Sequence, residues 1–414
     1  MADIDIAVVG AGMVGVSSAL WAQLRGHRVV LVDPAPPGSG TSAGNACTIA
    51  TYACLPVNDP SVFRDLPALL FGRGSPLALS WTHALRHPLW MLAFLANCRS
   101  ARSREISRVL ADLLSRADAG LNPLIEAAGA EDLVEARGQL QVWSTAKGAR
   151  GAEAGLAWKR SLGVPFEEIE PDAARQMEPG LALPIARAVH HTGARQIRDP
   201  EALVQLMHAR FTALGGETVA ERATAMAADD AGVTLTLGDG QGLRAARAVL
   251  AAGAFSRRIP GGGAERLPLG TERGYHLMFA GEAARVTRPV GWAEGGFYAV
   301  PTARGLRLAG TVEIAALGAP PNRERLAYLA RRGAELLGPL PARDAEWLGF
   351  RPTMPDALPV LGPAPGAPRI LHAFGHQHLG LTLGGLTGRI IADLCEGWQP
   401  NLALEPIRPD RRFF

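Results

Sequence analysis

Ile4-Asp5-Ile6-Ala7-Val8-Val9-Gly10-Ala11-Gly12-Met13-Val14-Gly15, followed one helix length later by Arg28-Val29-Val30-Leu31-Val32-Asp33, is the stretch that decides the fold. Residues 4–9 are a short apolar run ending on a glycine, which reads as a buried strand. Residues 14–25 carry a helical pattern that Gly26 stops. Residues 28–32 form a β-branched strand, and Pro34, Pro36 and Pro37 forbid its continuation beyond Asp33. Strand, glycine turn, helix and strand in about 30 residues make a βαβ unit with Gly-x-Gly-x-x-Gly at its first turn. The glycines permit the tight turn, a close approach of backbone to a pyrophosphate, and tight packing of helix on strand. The free N–H groups of the helix start supply positive potential to the phosphates. Asp33 ends the second strand, where it can accept a hydrogen bond from a ribose hydroxyl. A chance glycine-rich turn would not bring the preceding strand, the following helix and the acid together, although the motif by itself does not separate FAD from NAD.

The chain around this unit has 414 residues, a length for two to three domains at roughly 150 residues each. Hydrophobic residues make up 48% and charged residues 20%, which excludes a disordered chain and leaves apolar mass for a core. The 48 glycines and 31 prolines are many, yet they stay below the roughly 25–30% that marks low complexity. A net charge of +3 gives no reason to expect nucleic acid as a partner. Lys147 and Lys159 are the only lysines, so a Schiff-base or phosphate-loop lysine has almost nowhere to sit. Cys47, Cys54, Cys98 and Cys395 have no paired spacing and read as free thiols of a reducing cytoplasm, with no metal site. No signal-peptide pattern opens the chain, and no run of about 18 apolar residues offers a membrane span. The nearest, residues 85–95, is broken by Arg86, His87 and Pro88.

Along the chain, residues 38–60 read as a loop of small polar residues. Residues 61–98 read as short helices bearing Phe63, Phe71, Trp81, Trp90 and Phe94, and the aromatics from Trp81 to Phe94 read as core or interface rather than membrane contact. Ile106, Val109, Leu110, Leu113 and Leu114 recur at helical spacing and predict an amphipathic helix over 102–130. Residues 138–144 alternate as a strand, 146–163 read as helical, and His190-His191 as a solvated turn. Asp199-Pro200-Glu201 opens a helix through residue 214, with proline and acids at its positive end. Strands are expected around the 238–240 turn and antiparallel over 270–313, and a helix over 322–338. Residues 346–397 read as loop, a strand over 370–374 and a glycine-rich helix to residue 394.

Two further features carry chemistry. The small-residue run 38–49 reads either as an ordinary surface loop or as backbone lying against a flat ring system from which bulk is excluded. A second glycine-rich strand–helix junction near the C-terminus, 375–388, suggests a large cofactor held from both ends of the sequence. The set GAGMVG (10–15), TSAGNA (41–46), RDPEAL (198–203), VLAAGAFS (249–256), RGYHL (273–277), GFRPTMPDALPVLG (349–362) and FGHQHLGLTLGGLTGRIIADL (374–394) spans nearly the whole chain in order. Together these motifs resemble the FAD-dependent D-amino acid oxidase/dehydrogenase superfamily, and within it bacterial D-amino acid dehydrogenases of the D-hydroxyproline type. The segment 61–98 also resembles the apolar insertion of that dehydrogenase branch.

The resemblance implies an α/β fold: a Rossmann-like FAD-binding domain of the glutathione reductase/D-amino acid oxidase type, discontinuous over 1–60, 195–268 and 346–414. A mixed-sheet, α+β substrate domain would cover 61–194 and 269–345. It implies non-covalent FAD, with Gly10, Gly12, Met13, Val14, Gly15 and Asp33 on the ADP half. Thr41, Ser42, Gly44, Asn45 and Ala46 would lie near the isoalloxazine, Gly253 along the cofactor path, and Gly380, Leu381 and Thr382 where a helix start points at the flavin. Arg351 matches the arginine that grips a substrate carboxylate, and Arg273 aligns with a second one. Tyr275 and Tyr298 stand on substrate-domain strands, as pocket wall or as core, and His376 and His378 border flavin or substrate. No cysteine matches a covalent flavin attachment and no lysine matches the one that related oxidases use for oxygen chemistry. The implied reaction is hydride transfer from Cα of a D-amino acid, such as cis-4-hydroxy-D-proline, to flavin N5, giving an imine. A quinone or electron-transfer chain would be the acceptor, and the protein would be cytoplasmic. Peripheral contact with the inner membrane and homo- or hetero-oligomerisation stay open. The alternatives are a glycine/sarcosine-type oxidase producing hydrogen peroxide, an NAD-dependent dehydrogenase, and a non-catalytic flavin-holding subunit.

Overall fold

A computed structural model describes residues 4–63 and 77–414. The opening unit consists of the strand Ile4–Val9, the helix Met13–Leu24 and the strand Val29–Val32. Ile4–Val9 pairs in parallel with Val29–Val32 on one side and with the distant strand Gly242–Leu250 on the other. Glu217–Val219 adds in parallel outside Val29–Val32, and Ala367–Phe374 in parallel beside Gly242–Leu250. Strands covered on both faces are apolar without alternation, and Val29–Val32 is buried at every residue. Val233–Leu237, Ala223–Ala228 and Val360–Ala364 complete an eight-stranded sheet by antiparallel pairing.

The helix layer behind this sheet joins the two ends of the chain. Helix Met13–Leu24 packs on Gly380–Cys395, which packs in turn on Ala117–Ala128. These helices touch through backbone. A Cβ at Gly388 would lie 2.6 Å from the Ser17 backbone, and one at Gly120 would lie 2.3 Å from the Leu386 backbone. Trp21 Nε1 donates to the Gly120 carbonyl at 3.0 Å. The single helix expected over 102–130 is two helices, Ser100–Ser115 and Ala117–Ala128, because the chain turns at Arg116. Asp199 caps Pro200–Ala213, its Oδ1 accepting from the Glu201 and Ala202 N–H groups at 3.1 Å.

A second, nine-stranded mixed sheet is built around the long strands Gly270–Phe279 and Gly305–Ile314, with the helix Arg323–Leu337 packed on it. Two expectations need correction. The start of the stretch 346–397, read as loop, is the strand Ala345–Thr353, paired along the whole of Gly270–Phe279. That pairing puts residues 345–353 in the second sheet rather than in the sheet of the opening unit. It ends the strand order, and at an edge Pro352 forfeits no ladder bond, so proline and glycine there hid a strand. His190-His191 is not a solvated turn: both residues lie in the strand Arg187–His191, and His191 is buried, stacked on Tyr52 at 4.0 Å. In the 61–98 segment the described residues form the helices Trp81–Arg86 and Pro88–Asn97. Trp90 stacks on Phe94, while Trp81 and Phe63 are exposed. Phe71 and the rest of 64–76 lie outside the described residues. Among the described residues no helix is long and apolar enough to cross a membrane.

The backbone contact at Gly388 has a measurable consequence. Gly388→Val forces a side chain into the Ser17 backbone and is expected to cost at least about 1–3 kcal/mol in denaturant unfolding, as overpacking does. Gly151, in the helix Ala146–Gly151, has open space where its Cβ would point, so Gly151→Ala is expected to be neutral or stabilising by up to about 1 kcal/mol.

Candidate active site

A cavity of about 770 Å³ runs from the glycine turn of the first sheet to the face of the second sheet that carries Glu272 and Gly274. At the first end, Gly10 has φ +110°, and a Cβ there would meet the Ala251 carbonyl oxygen at 2.5 Å. A Cβ at Gly15 would strike the Gly10 carbonyl, so only glycine lets the helix start so close to the strand. Gly12, Met13, Val14 and Asp33 line the cavity at this end. Asp33 braces the turn: one carboxylate oxygen accepts from the Ala11 N–H at 2.7 Å and the other from the Ala35 N–H at 2.8 Å. A carboxylate has acceptor capacity beyond two bonds, which leaves it able to serve a ribose hydroxyl as well.

The small-residue run forms the middle of the wall, with Thr41, Ser42, Gly44, Asn45 and Ala46 all on the cavity. Ser42 Oγ accepts from the Met13 N–H at 2.9 Å, joining the loop to the start of the helix. Thr41 Oγ1 accepts from the Phe350 N–H and donates to the Phe350 carbonyl. Two residues that sequence reasoning missed set the shape of this loop. Arg307 is buried and its Nη1 donates to the carbonyls of Ala43 and Asn45, at 3.1 and 2.9 Å, and to Cys47 Sγ. His276 Nδ1 contacts the Gly44 carbonyl at 3.0 Å while its ring stacks on Trp347. Burial holds the His276 imidazole down to about 3, with the Arg307 charge acting in the same direction. It is therefore neutral at pH 7, and the tautomer protonated at Nδ1 donates to Gly44. Gly44 has no alternative, since a Cβ would lie 2.2 Å from the Trp347 ring. The only sequence signal for Arg307 was a lone arginine in an apolar strand, and its partners are backbone atoms that no motif encodes.

Gly253 lines the cavity beside Ala251 and Ala252, and Gly380 and Leu381 close it at the start of the last helix. Thr382 does not line it: its Oγ1 accepts from the Ala50 N–H at 2.9 Å and ties loop to helix. At the far end stand Arg351, Glu272, Tyr298, Tyr52, His376, Gln377 and His378. Arg351 Nη1 donates to the Thr311 carbonyl at 3.1 Å, and a side chain at Gly274 would collide with the guanidinium. His376 Nε2 is 2.8 Å from Thr387 Oγ1, and burial holds its imidazole down to about 4. His378 is open to the cavity, and the surrounding protein together with the Arg351 charge holds it down to about 4. Both rings are neutral at pH 7.

Arg273 is not brought to the cavity. In the strand Gly270–Phe279 side chains alternate, and Arg273 lies on the opposite face from Glu272 and Gly274. It is fully buried, 3.1 Å from Glu313, and donates to the Ala319 and Pro320 carbonyls. Tyr275 borders the cavity, but its hydroxyl donates to Glu313 Oε2 at 2.5 Å and accepts from the Asn322 N–H at 3.0 Å. This is a structural network behind the site. The residue of this strand that sequence reasoning passed over, Glu272, is the one on the site face. Lys159 stands behind the wall, its ammonium 5.1 Å from the ring centre of Tyr52 and brought down to about 8 by burial.

The residues present suit an elongated dinucleotide. Glycine turns admit backbone to one end, the middle wall is small side chains held by Arg307 and His276, and the far end is polar. The comparisons agree. Residues 5–394 match the model of the FAD dependent oxidoreductase family, and the chain belongs to that family. It is 33% identical to a D-amino-acid oxidase of Bradyrhizobium diazoefficiens over 414 residues, covering 98% of each chain. Its fold is similar to that of glycine oxidase from Geobacillus kaustophilus, with a TM-score of 0.75 at 23% identity over 99% of this chain and 98% of that one. It is also similar to L-proline dehydrogenase from P. horikoshii, with a TM-score of 0.72 at 15% identity over 98% and 97%. FAD is the cofactor, and the mixed α/β architecture is that of these flavoproteins.

Two outcomes follow for cofactor binding. None of the four cysteines lines the cavity, so acid precipitation is expected to release all the flavin into the supernatant, with no yellow colour left on the protein. Arg307→Leu leaves the carbonyls of Ala43 and Asn45 without their donor. At about 1–3 kcal/mol for a buried group left unsatisfied, FAD affinity measured by fluorescence titration of the apoprotein is expected to fall about 5- to 150-fold.

Proposed function

We propose that the protein oxidises D-amino acids in this cavity, with cyclic secondary amines such as cis-4-hydroxy-D-proline as the favoured class. The observation that carries the reading is Arg351. Its guanidinium stands in the cavity wall with one protein hydrogen bond, to Thr311, and its other N–H groups carry none among the described residues. Such a planar fork suits a two-point grip on a carboxylate, which fixes the face that Cα presents. The resemblance of the 273–277 and 375–382 motifs to D-hydroxyproline dehydrogenases and the kinship with a D-amino-acid oxidase support the substrate class.

When bound, FAD supplies the hydride acceptor for the substrate's Cα hydrogen. The chain's part is to position and to exclude water. Arg351 holds the carboxylate. Neutral His376 and His378 add no second positive charge that would compete for it. Tyr52 and Tyr298 line the same cavity. We assign the chain to the dehydrogenase side of the family, passing electrons to a quinone or electron-transfer chain rather than to oxygen. Lys147 and Lys159 are the only lysines, and neither lines the cavity.

The test is anaerobic mixing of the FAD-loaded protein with D- and L-amino acids, prolines included, while following loss of the flavin absorbance. Bleaching by D-amino acids is expected, and faster bleaching by L-proline, sarcosine or glycine would overturn the assignment. Arg351→Ala is expected to cost about 2–5 kcal/mol, roughly 30-fold to several-thousand-fold in kcat/KM, with FAD content near normal. Arg351→Lys should recover part of the loss. A D-amino acid amide, which lacks the carboxylate, should be affected much less than the acid.

A further inference from the structure

We propose that Glu272 is the specificity-determining residue of this cavity: opposite Arg351 across the sheet, it accepts hydrogen bonds and one proton from the substrate's ammonium group, so that the site selects amino acid zwitterions over plain carboxylates. The inference rests on the reading of the cavity as a site of amino acid oxidation.

Glu272 and Arg351 are directly paired in the antiparallel ladder between Gly270–Phe279 and Ala345–Thr353, so their side chains leave the same face. Both line the cavity. A cross-strand pair puts Cβ atoms about 5 Å apart, close enough for two long side chains to meet. These two nevertheless do not close an ion pair; Arg351 turns its Nη1 to Thr311 instead. Gln377 Nε2 donates to Glu272 Oε1 at 3.4 Å, while the nearby Thr353 hydroxyl donates to the Arg351 carbonyl at 3.3 Å. Gln377 is itself fixed by its N–H on the Pro352 carbonyl and by a φ of +50°, unusual outside glycine. The result is a buried carboxylate, 4% exposed, held in place with acceptor capacity to spare and no cation bonded to it among the described residues. A buried charge left in that state is costly, and an α-amino acid, with its anion and cation one carbon apart, answers both members of the pair at once.

The charged and titratable groups around Glu272 are few among the described residues. Arg351 faces it from Ala345–Thr353, and His376 and His378 stand on the loop before the last helix. The Arg273–Glu313 pair lies on the far face of the sheet, and Tyr298 on Phe297–Thr302. The helix Pro88–Asn97, whose Trp90 abuts Gly270, carries no ionisable side chain. Burial raises the Glu272 carboxyl while the Arg351 charge pulls it back. That makes it a better proton acceptor than an ordinary surface carboxylate. The step balances simply. One N–H bond of the ammonium breaks, its electron pair stays on nitrogen, and an O–H bond forms on Glu272, leaving a neutral amine and a neutral acid. The freed lone pair is what Cα needs in order to lose hydride.

The test uses the FAD-loaded protein and two ligands without reactive chemistry: 1-aminocyclopentane-1-carboxylate, a zwitterion with no Cα hydrogen, and cyclopentanecarboxylate, the same ring without the amine. Binding is read from the perturbed flavin spectrum. Wild type is expected to prefer the zwitterion, and Glu272→Gln to lose at least about tenfold of that preference while binding the plain carboxylate as well or better. In turnover, the acid limb of wild-type kcat/KM is expected to lie at the Glu272 pKa. Glu272→Gln should shift that limb up to the amine's own pKa, with at least about a tenfold loss at pH 7 that recovers in alkali. Glu272→Asp should keep the zwitterion preference. If Glu272→Gln leaves the preference and the pH profile unchanged in a protein whose wild type oxidises amino acids, the inference fails alone. If wild type neither binds the zwitterion nor bleaches with any amino acid, the proposed function fails with it.

Discussion

The backbone-to-backbone contact between the helix Met13–Leu24 and the helix Gly380–Cys395 is the constraint on which the rest of this protein depends. Gly15 lets the first helix begin against the Gly10 carbonyl, and Gly388 lets the last helix lie on the Ser17 backbone. A side chain at Gly15 would push the first helix off the turn at Gly10, and one at Gly388 would push the two helices apart. The start of one would then leave the glycine turn, and the start of the other would leave the far end of the cavity. Close approach here is less a matter of packing energy than of geometry. Two helix starts must reach the same elongated cavity from sequence positions far apart, and only an absent Cβ allows them both to do so.

The second organising feature is electrostatic. The far end of the cavity sets one basic and one acidic group, Arg351 and Glu272, on the same sheet face among histidines that burial keeps neutral. Low dielectric surroundings make those two groups count for more than they would at a surface. The other buried arginines of the second sheet are spent on structure. Arg307 satisfies carbonyls of the small-residue loop 41–46, and Arg273 pairs with Glu313 behind the site.

What was legible in the sequence is what depends on local backbone chemistry. Gly10, Gly12, Gly15 and Asp33 could be placed because a tight turn, a helix start and a strand end each demand particular residues. Asp199-Pro200 could be placed as a helix start for the same reason. What was not legible depends on register and on partners distant in the chain. Arg273 fell on the wrong face because a β-strand turns over with every residue, and Glu272, one position away, is the acidic side chain that meets the cavity. The strand Ala345–Thr353 was hidden because its glycine and proline are tolerated at a sheet edge. Arg307 and His276 act on carbonyls, which every residue has, so no pattern of side chains could announce them.

Arg25 and Glu396 are bonded across 371 positions of chain, one at the end of each helix in that first contact. The ribosome must therefore deliver nearly the whole polypeptide before the cofactor site can be completed. Until the last glycine-rich helix emerges, the small-residue face of Met13–Leu24 has nothing to cover it. The nascent chain then presents an open apolar seam where the finished protein packs two helices together. The cavity is closed late in synthesis, and a chain stopped short by a few dozen residues would carry the glycine turn without the residues that complete the cavity's far end.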